Sequence, residues 1–383
     1  MSTSVKSSAR SNLKKVIIIP DSFKGVLTAK EAADIIASAV SCAFPDCEII
    51  KMPIADGGEG SVDAVLSATG GEVFEATVLS PDNRHITANF GITNTGTAVL
   101  EMAQSSGITR QLCLNPMTSN TFGFGQLILA ALNKKINDLI LCIGGSATTD
   151  GGCGMAAALG VKFTDKQGSS FIPCGETLSE IADIDMSGLD ERIKNCTFTV
   201  MCDVDNPLYG PNGAAYIFGP QKGANPEQVR ILDAGLRSYG AVLKERFGRT
   251  FSEVSGAGAA GGLGAGCMAF LGATLKSGID TLLELYNFKE LCRDANLVIT
   301  GEGKLDAQSF QGKVLSGIIR AAGNTPVWSI CGTNDCDSAI LREKKIIVFQ
   351  ASEGISIEES MNDPVKYLKL AAKRAMDSIP QDR

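Results

Sequence analysis

"ANLVITGEGKLDAQSFQGKVLSGIIRAAG", residues 295–323, decides the fold class. A short apolar run leads into a loop of glycines, acids and lysines, and a segment of helical pattern follows. A run of that kind reads as a strand buried on both faces, the signature of a parallel sheet. The loop looks suited to phosphate, yet the G-x-x-x-x-G-K-[ST] phosphate loop occurs nowhere in the chain. The same unit occurs three times upstream. "VIIIPD" (16–21) runs through "SFKGVL" into "TAKEAADIIASAVSCA" (28–43), where Thr28 and Glu31 form a capping-box pattern. "CEIIKMPIADGGEGSVDAVLSA" (47–68) and "DLILCIGGSATTDGGCGMAAALG" (138–160) repeat it. Alternating strands and helices predict α/β architecture with helices on both faces of parallel sheets.

The middle of the chain breaks the pattern. "FEATVLS" (74–80), "HITANFGIT" (85–93) and "TAVLEMA" (97–103) read as strands, with Ile86, Ala88, Phe90 and Ile92 alternating, and predict an antiparallel patch. "AAYIFG" (214–219) reads as a further short strand. "TPVWSICG" and "IIVFQAS" return to α/β, ahead of a helix capped by Asp363 with Pro364 in its first position. The expected organisation is a discontinuous Rossmann-like three-layer α/β domain, residues 14–80 plus 290–383. A mixed-sheet α/β domain, 81–289, is inserted in it, with a cleft between the two, and residues 1–13 form a disordered arm.

At 383 residues the chain holds two cores of ordinary size. A net charge of −7 without a basic stripe gives nucleic acid and anionic membranes nothing to bind. No apolar run reaches membrane-spanning length. Twelve scattered cysteines without a C-x-x-C pair read as reduced thiols of a cytoplasmic protein, with Cys142, Cys202 and Cys331 as small core residues.

Ligands of open α/β sheets bind outside the carboxyl ends of the strands. Asp21, Asp56, Asp150, Asp203 and Glu302 each fall at such a turn. Any one of them also suits a helix cap, whereas five together, most flanked by glycine, point to a site. The single histidine, His85, sits in the antiparallel patch, so imidazole-dependent hydrolysis is excluded and base chemistry falls to a carboxylate. The turns "GGSATTDGGCG" (144–154) and "GAGAAGGLGAG" (256–266) present bare backbone to anions, or let helices pack closely. Gly256, Gly258 and Gly261 match G-x-G-x-x-G, but "RTFSEVS" before them is no buried strand, which leaves a dinucleotide site with little support. Lys24, Lys222, Lys304 and Lys313 supply positive charge. Acids that hold metal or take a proton, lysines that hold phosphate, and glycines that admit close approach together describe phosphoryl transfer.

Seven stretches, "PDSFKG", "ADGGEG", "GGSATTDGGCG", "CDVDNPLYG", "FGPQKGA", "GAGAAGGLG" and "TGEGKLDAQSFQGK", occur in an order and spacing that resemble the type 1 glycerate kinase family from about residue 15 to about residue 375. The resemblance implies ATP-dependent phosphorylation of D-glycerate with Mg²⁺, most often to 2-phosphoglycerate. The matching residues imply site roles. Asp21, Ser22, Lys24, Asp56, Gly57, Gly58 and Glu59 are expected to hold the acid substrate. Gly144, Gly145, Ser146, Thr148, Thr149, Asp150, Gly151, Lys222, Gly258, Gly261 and Gly262 are expected at the nucleotide phosphates. Asp203 is expected as the base, with Lys24 and Lys313 as catalytic cations and Lys313 on phosphate. Asp205, Glu302 and Asp306 are expected as metal ligands, with Asn206 orienting the base. A kinase for another small hydroxy or sugar acid, an NAD-dependent dehydrogenase and a non-catalytic anion-binding protein are the alternatives.

Overall fold

The structure, a computed structural model, describes residues 13–380 apart from 24, 55, 56, 59 and 312, with backbone alone at 308, 311 and 313. The expectations for the N-terminal arm, Lys24, Asp56, Glu59 and the Lys313 side chain lie outside the described residues. Two main sheets are built from β1 (Lys15–Ile18), β2 (Glu48–Lys51), β3 (Gly71–Leu79), β4 (His85–Thr93), β5 (Thr97–Glu101), β6 (Asp138–Cys142), β7 (Thr197–Met201), β8 (Thr274–Lys276), β9 (Leu297–Thr300), β10 (Val327–Cys331) and β11 (Ile346–Gln350). The chain divides into two compact units, residues 1–55 with 282–383, and residues 56–281.

The first unit carries the five-stranded sheet, in the order β11-β10-β9-β1-β2, every pair parallel. Counted within the unit from the β2 edge this is 2-1-3-4-5, a doubly wound order whose direction reverses between β1 and β9. β1 and β9 are buried along their length, as central strands covered on both faces must be. Val16, Ile18, Leu297, Ile299 and Ile330 face the helices Ala29–Ala43 and Pro364–Asp377. On the other face Cys331 and Ile346 pack with Leu315 of the helix Lys313–Ala322, which makes three layers. The helix starts follow their sequence signals. Thr28 and Glu31 cap each other reciprocally, and Asp363 accepts from Lys366 N at 3.2 Å ahead of Pro364.

The second unit carries the mixed six-stranded sheet β8-β7-β6-β5-β4-β3, parallel from β8 to β5 and antiparallel beyond. Ala88 and Phe90 of the alternating strand are buried. Residues 56–80 belong here rather than with the first unit, because β3 pairs with β4 along its full length, Gly71 to Leu79. Two further expectations change. "AAYIFG" forms the helix Ala214–Phe218, whose Ala214 and Ala215 are buried against larger helices; the small residues serve helix packing, not a pleat. The glycine stretch 256–266 is only partly a loop, since a helix spans Ala259–Leu271, interrupted where Ala260, Gly261 and Gly262 adopt left-handed φ of 53°, 71° and 92°. Its glycines admit neighbouring backbone: a Cβ on Gly264 would lie 2.2 Å from Gly256 O, and one on Gly266 2.5 Å from Gly151 O. No disulfide joins any of the twelve cysteines, and Cys142, Cys202 and Cys331 are buried.

Candidate active site

Each unit has a cavity at the carboxyl ends of its parallel strands. In the second unit the strands are β6 and β7, and the cavity, of about 220 Å³, is lined by Gly144, Gly145, Ser146, Asp203 and Lys222 among others. The turn after β6 is drawn tightly onto the "ADGGEG" loop. Gly144 N donates to Gly57 O at 3.0 Å, and a Cβ on Gly144 would sit 2.9 Å from Gly58 Cα, so this approach requires glycine. Asp203 stands just past β7. Its Oδ1 accepts from Gly278 N at 3.0 Å, and the residue is exposed.

Lys222 is 1% exposed. It donates to Thr148 O at 2.5 Å and Ser146 Oγ at 3.4 Å, two of the three bonds an ammonium offers. Burial pushes its pKa down to about 7, opposed by the charge of Asp150. Asp150 itself lies behind the cavity wall, fully buried, and accepts from Thr121 N and Oγ1, both at 2.7 Å, Gly154 N at 3.0 Å and Gly152 N at 3.2 Å. Burial pushes its carboxyl up while these donors hold it down. It acts as the cap of the helix Cys153–Ala158 and as the distant counter-charge to Lys222.

The predicted phosphate turns therefore split into two layers. Gly144, Gly145 and Ser146 face the cavity, whereas Thr148, Thr149, Asp150 and Gly151 form its buried backing. Gly258, Gly261 and Gly262 are not among the described lining residues. A Cβ on Gly258 would lie 2.2 Å from Pro207 O and one on Gly261 2.1 Å from Thr148 O, so they serve close packing. Asp205 bonds Ser255 Oγ at 2.7 Å, and Asn206 donates to Asn212 O at 2.8 Å, both beside Asp203 in sequence but outside the described lining.

In the first unit the cavity opens where the strand order reverses, at the ends of β1 and β9, and measures about 540 Å³. Asp21 N donates to Gly301 O at 2.8 Å and Asp21 Oδ1 accepts from Ser22 N at 2.6 Å, which ties the two strand-end loops together. Glu302 accepts from Ser309 Oγ at 2.9 Å. Burial first, then the neighbouring Asp21 and Asp306 carboxylates, push its pKa up to about 7. Lys304 is exposed and pairs with Asp335 at 3.0 Å. Among the described residues no three His, Cys, Asp or Glu side chains could together hold a metal ion. Mg²⁺ needs only one or two carboxylates beside phosphate oxygens and water, and mutually repelling acids suit a divalent cation, so Glu302 with Asp21 or Asp306 fits such an ion.

Glu101 is a positioning residue that sequence reasoning missed. It ends β5, is 1% exposed and accepts from Val62 N at 2.6 Å, with a second backbone bond from Gly60. Gly60, at φ 90°, precedes the helix Ser61–Thr69 and has no side chain to cap it. Glu101 supplies that cap from another strand and so fixes the end of the "ADGGEG" loop. A lone acid closing the apolar run "TAVLE" was the available signal.

Comparison with known proteins adds an independent line. Residues 16–380 match the model of the Glycerate kinase family. Glycerate kinase of Bacillus subtilis (strain 168) is 42% identical over 372 residues, 95% of this chain and 97% of that protein. Glycerate 2-kinase of Escherichia coli (strain K12) is 44% identical over 337 residues, 87% of this chain and 88% of that protein. A crystal structure of a candidate glycerate kinase 2 from Salmonella typhimurium LT2 superposes with a TM-score of 0.84 at 36% identity, covering 96% of this chain and 98% of that one.

Proposed function

The chain belongs to the glycerate kinase family, and from that premise we propose that it transfers the γ-phosphoryl group of ATP to the 2-hydroxyl of D-glycerate. The observation that carries the reading is the second unit's small cavity, where the Asp203 carboxylate, the buried Lys222 and the Gly144–Ser146 turn converge. A volume of about 220 Å³ suits a three-carbon acid. The sharing of that one space by a carboxylate and a cation suits a hydroxyl that must lose a proton beside groups that carry negative charge.

In this mechanism Asp203 accepts the hydroxyl proton as the glycerate oxygen bonds to the γ-phosphorus and the bond to the ADP oxygen breaks. Lys222, the Ser146 hydroxyl and the bare backbone at Gly144 and Gly145 offset the anionic charge, the greater part of what phosphoryl transfer asks of a protein. The acceptor's carboxylate goes to the Lys222 side of this cavity rather than to Asp21 and Ser22, whose neighbours Glu302 and Asp306 would repel it. Glu302, with Asp21 or Asp306, would hold Mg²⁺, which when bound offsets charge on the nucleotide phosphates. The 2-hydroxyl is favoured by the 44% identity to a glycerate 2-kinase. Twelve cysteines with no disulfide among them favour a reducing cytoplasm.

The test is ADP release from ATP, Mg²⁺ and D-glycerate, with phosphorus NMR of the product. We expect the 2-phospho isomer. Asp203→Asn should keep the fold and lower kcat by about 10²–10⁴-fold, the usual contribution of a general base. Activity within about twofold of the parent would remove Asp203 from the role.

A further inference from the structure

The first unit's cavity has two unlike halves. Asp21, Glu302 and Lys304 stand at the strand ends, and an apolar wall of Phe23, Leu27, Ile357, Met361, Pro364 and Leu368 completes it. The volume of about 540 Å³ is that of a drug-sized or nucleotide site. Its position at the reversal of strand order is where open parallel sheets bind ligands. Ile357 and Met361 are each 57% exposed, although both are large apolar side chains on the cavity wall. A three-carbon polar anion has no use for such a wall, and the acidic half repels its carboxylate. A flat aromatic base suits the wall, and a polyphosphate carried with a divalent cation suits the acids.

We infer that the wall formed by Phe23, Leu27, Ile357, Met361 and Leu368 receives the adenine ring of ATP. This rests on the kinase reading above and deepens it. It moves the nucleoside away from the turns 144–151 and 256–262 that the sequence favours. Most residues of those turns are enclosed by protein, with Gly261 and Gly262 pressed against backbone and side chains, so they leave no room for a base.

The experiment measures Mg·ADP binding calorimetrically on the full chain without glycerate, for the parent, Met361→Glu and Ile357→Glu. Both positions are exposed, so the substitutions spare the core. The dissociation constant for ADP and the KM for ATP should each rise at least about tenfold, with the KM for D-glycerate within about twofold. An ADP affinity within about twofold of the parent in both variants overturns the inference. Hydrogen exchange of the parent gives a second reading without substitution: ADP should protect residues 351–368, and unchanged exchange there overturns it as well. Intact ADP binding with no turnover of glycerate would sink the acceptor assignment and leave this site standing. A parent that binds no Mg·ADP would sink both.

Discussion

At the scale of single residues, the site depends on groups held by partners far away in sequence. Glu101 illustrates this, because its carboxylate replaces the cap that Gly60 cannot provide and so sets where Gly57 and Gly58 meet Gly144. Glu101→Gln presents an amide donor where one of the carboxylate's acceptors was needed. Leaving a buried partner unmatched costs about 1–3 kcal/mol. We expect denaturant titration to show a loss in that range and the KM for D-glycerate to rise several-fold, with the KM for ATP near the parent value. Equal changes in both KM values would make Glu101 a general stability residue instead. The place of Asp203 on the cavity wall was legible because an acid directly after an apolar strand falls where a parallel sheet opens to ligands. Glu101 occupies a similar sequence position, but its capping role was not legible, because its partner is 39 residues away and contact, not pattern, defines that role.

At the scale of elements, glycine has two separate jobs that sequence does not distinguish. Gly144 lets one turn touch another at the cavity edge, whereas Gly261 lets a helix start touch the backing of the same cavity. Gly261 has φ 71°, and a Cβ there would lie 2.1 Å from Thr148 O, the oxygen that accepts from Lys222. Gly248 also has a left-handed φ, 64°, but a Cβ there would meet nothing within 4 Å. Gly248→Ala should therefore cost only the backbone term of about 1–2 kcal/mol. Gly261→Ala adds a collision with backbone and should cost about 3 kcal/mol or more, together with weaker substrate binding. Thermal unfolding of the two variants side by side checks the ranking, and equal shifts would refute it. The capping box at Thr28 and the Asp363–Pro364 start were readable because caps are local. The strand expected at 214–219 failed because a short apolar run carries no period long enough to separate helix from strand.

At the scale of the whole molecule, the second unit carries a cation that folding strips of water. Lys222 has a folded pKa of about 7 against an ordinary 10.5. Between those values the unfolded lysine binds more protons than the folded one, so the Lys222 contribution to stability rises with pH across that window and is lowest below about 7, where the charge is buried in full. Chemical denaturation between about pH 7 and 8, below the range where the buried thiols act with the opposite sign, should show this rise, and Lys222→Met should remove it. A slope unchanged by the substitution would contradict the assignment. The same ionisation acts on function with opposite sign. As pH climbs through about 7 the free enzyme loses the charge that attracts an acid, so the KM for D-glycerate should increase.

The sequence by itself determined the strand–loop–helix units, their local caps and the loops in which acids, lysines and glycines gather, since each rests on neighbours a few residues apart. Tertiary structure alone decided the order 2-1-3-4-5 that puts Asp21 beside Gly301, the burial of Lys222 over Thr148 O, and the division of glycines between cavity and packing. It also gathered Asp21, Phe23 and Leu27, Glu302 and Lys304, and Ile357, Met361 and Leu368 around one cavity. Those outcomes depend on pairings across tens to hundreds of residues, where the energy lies in mutual burial and register, and no local pattern encodes which distant surface a segment will meet.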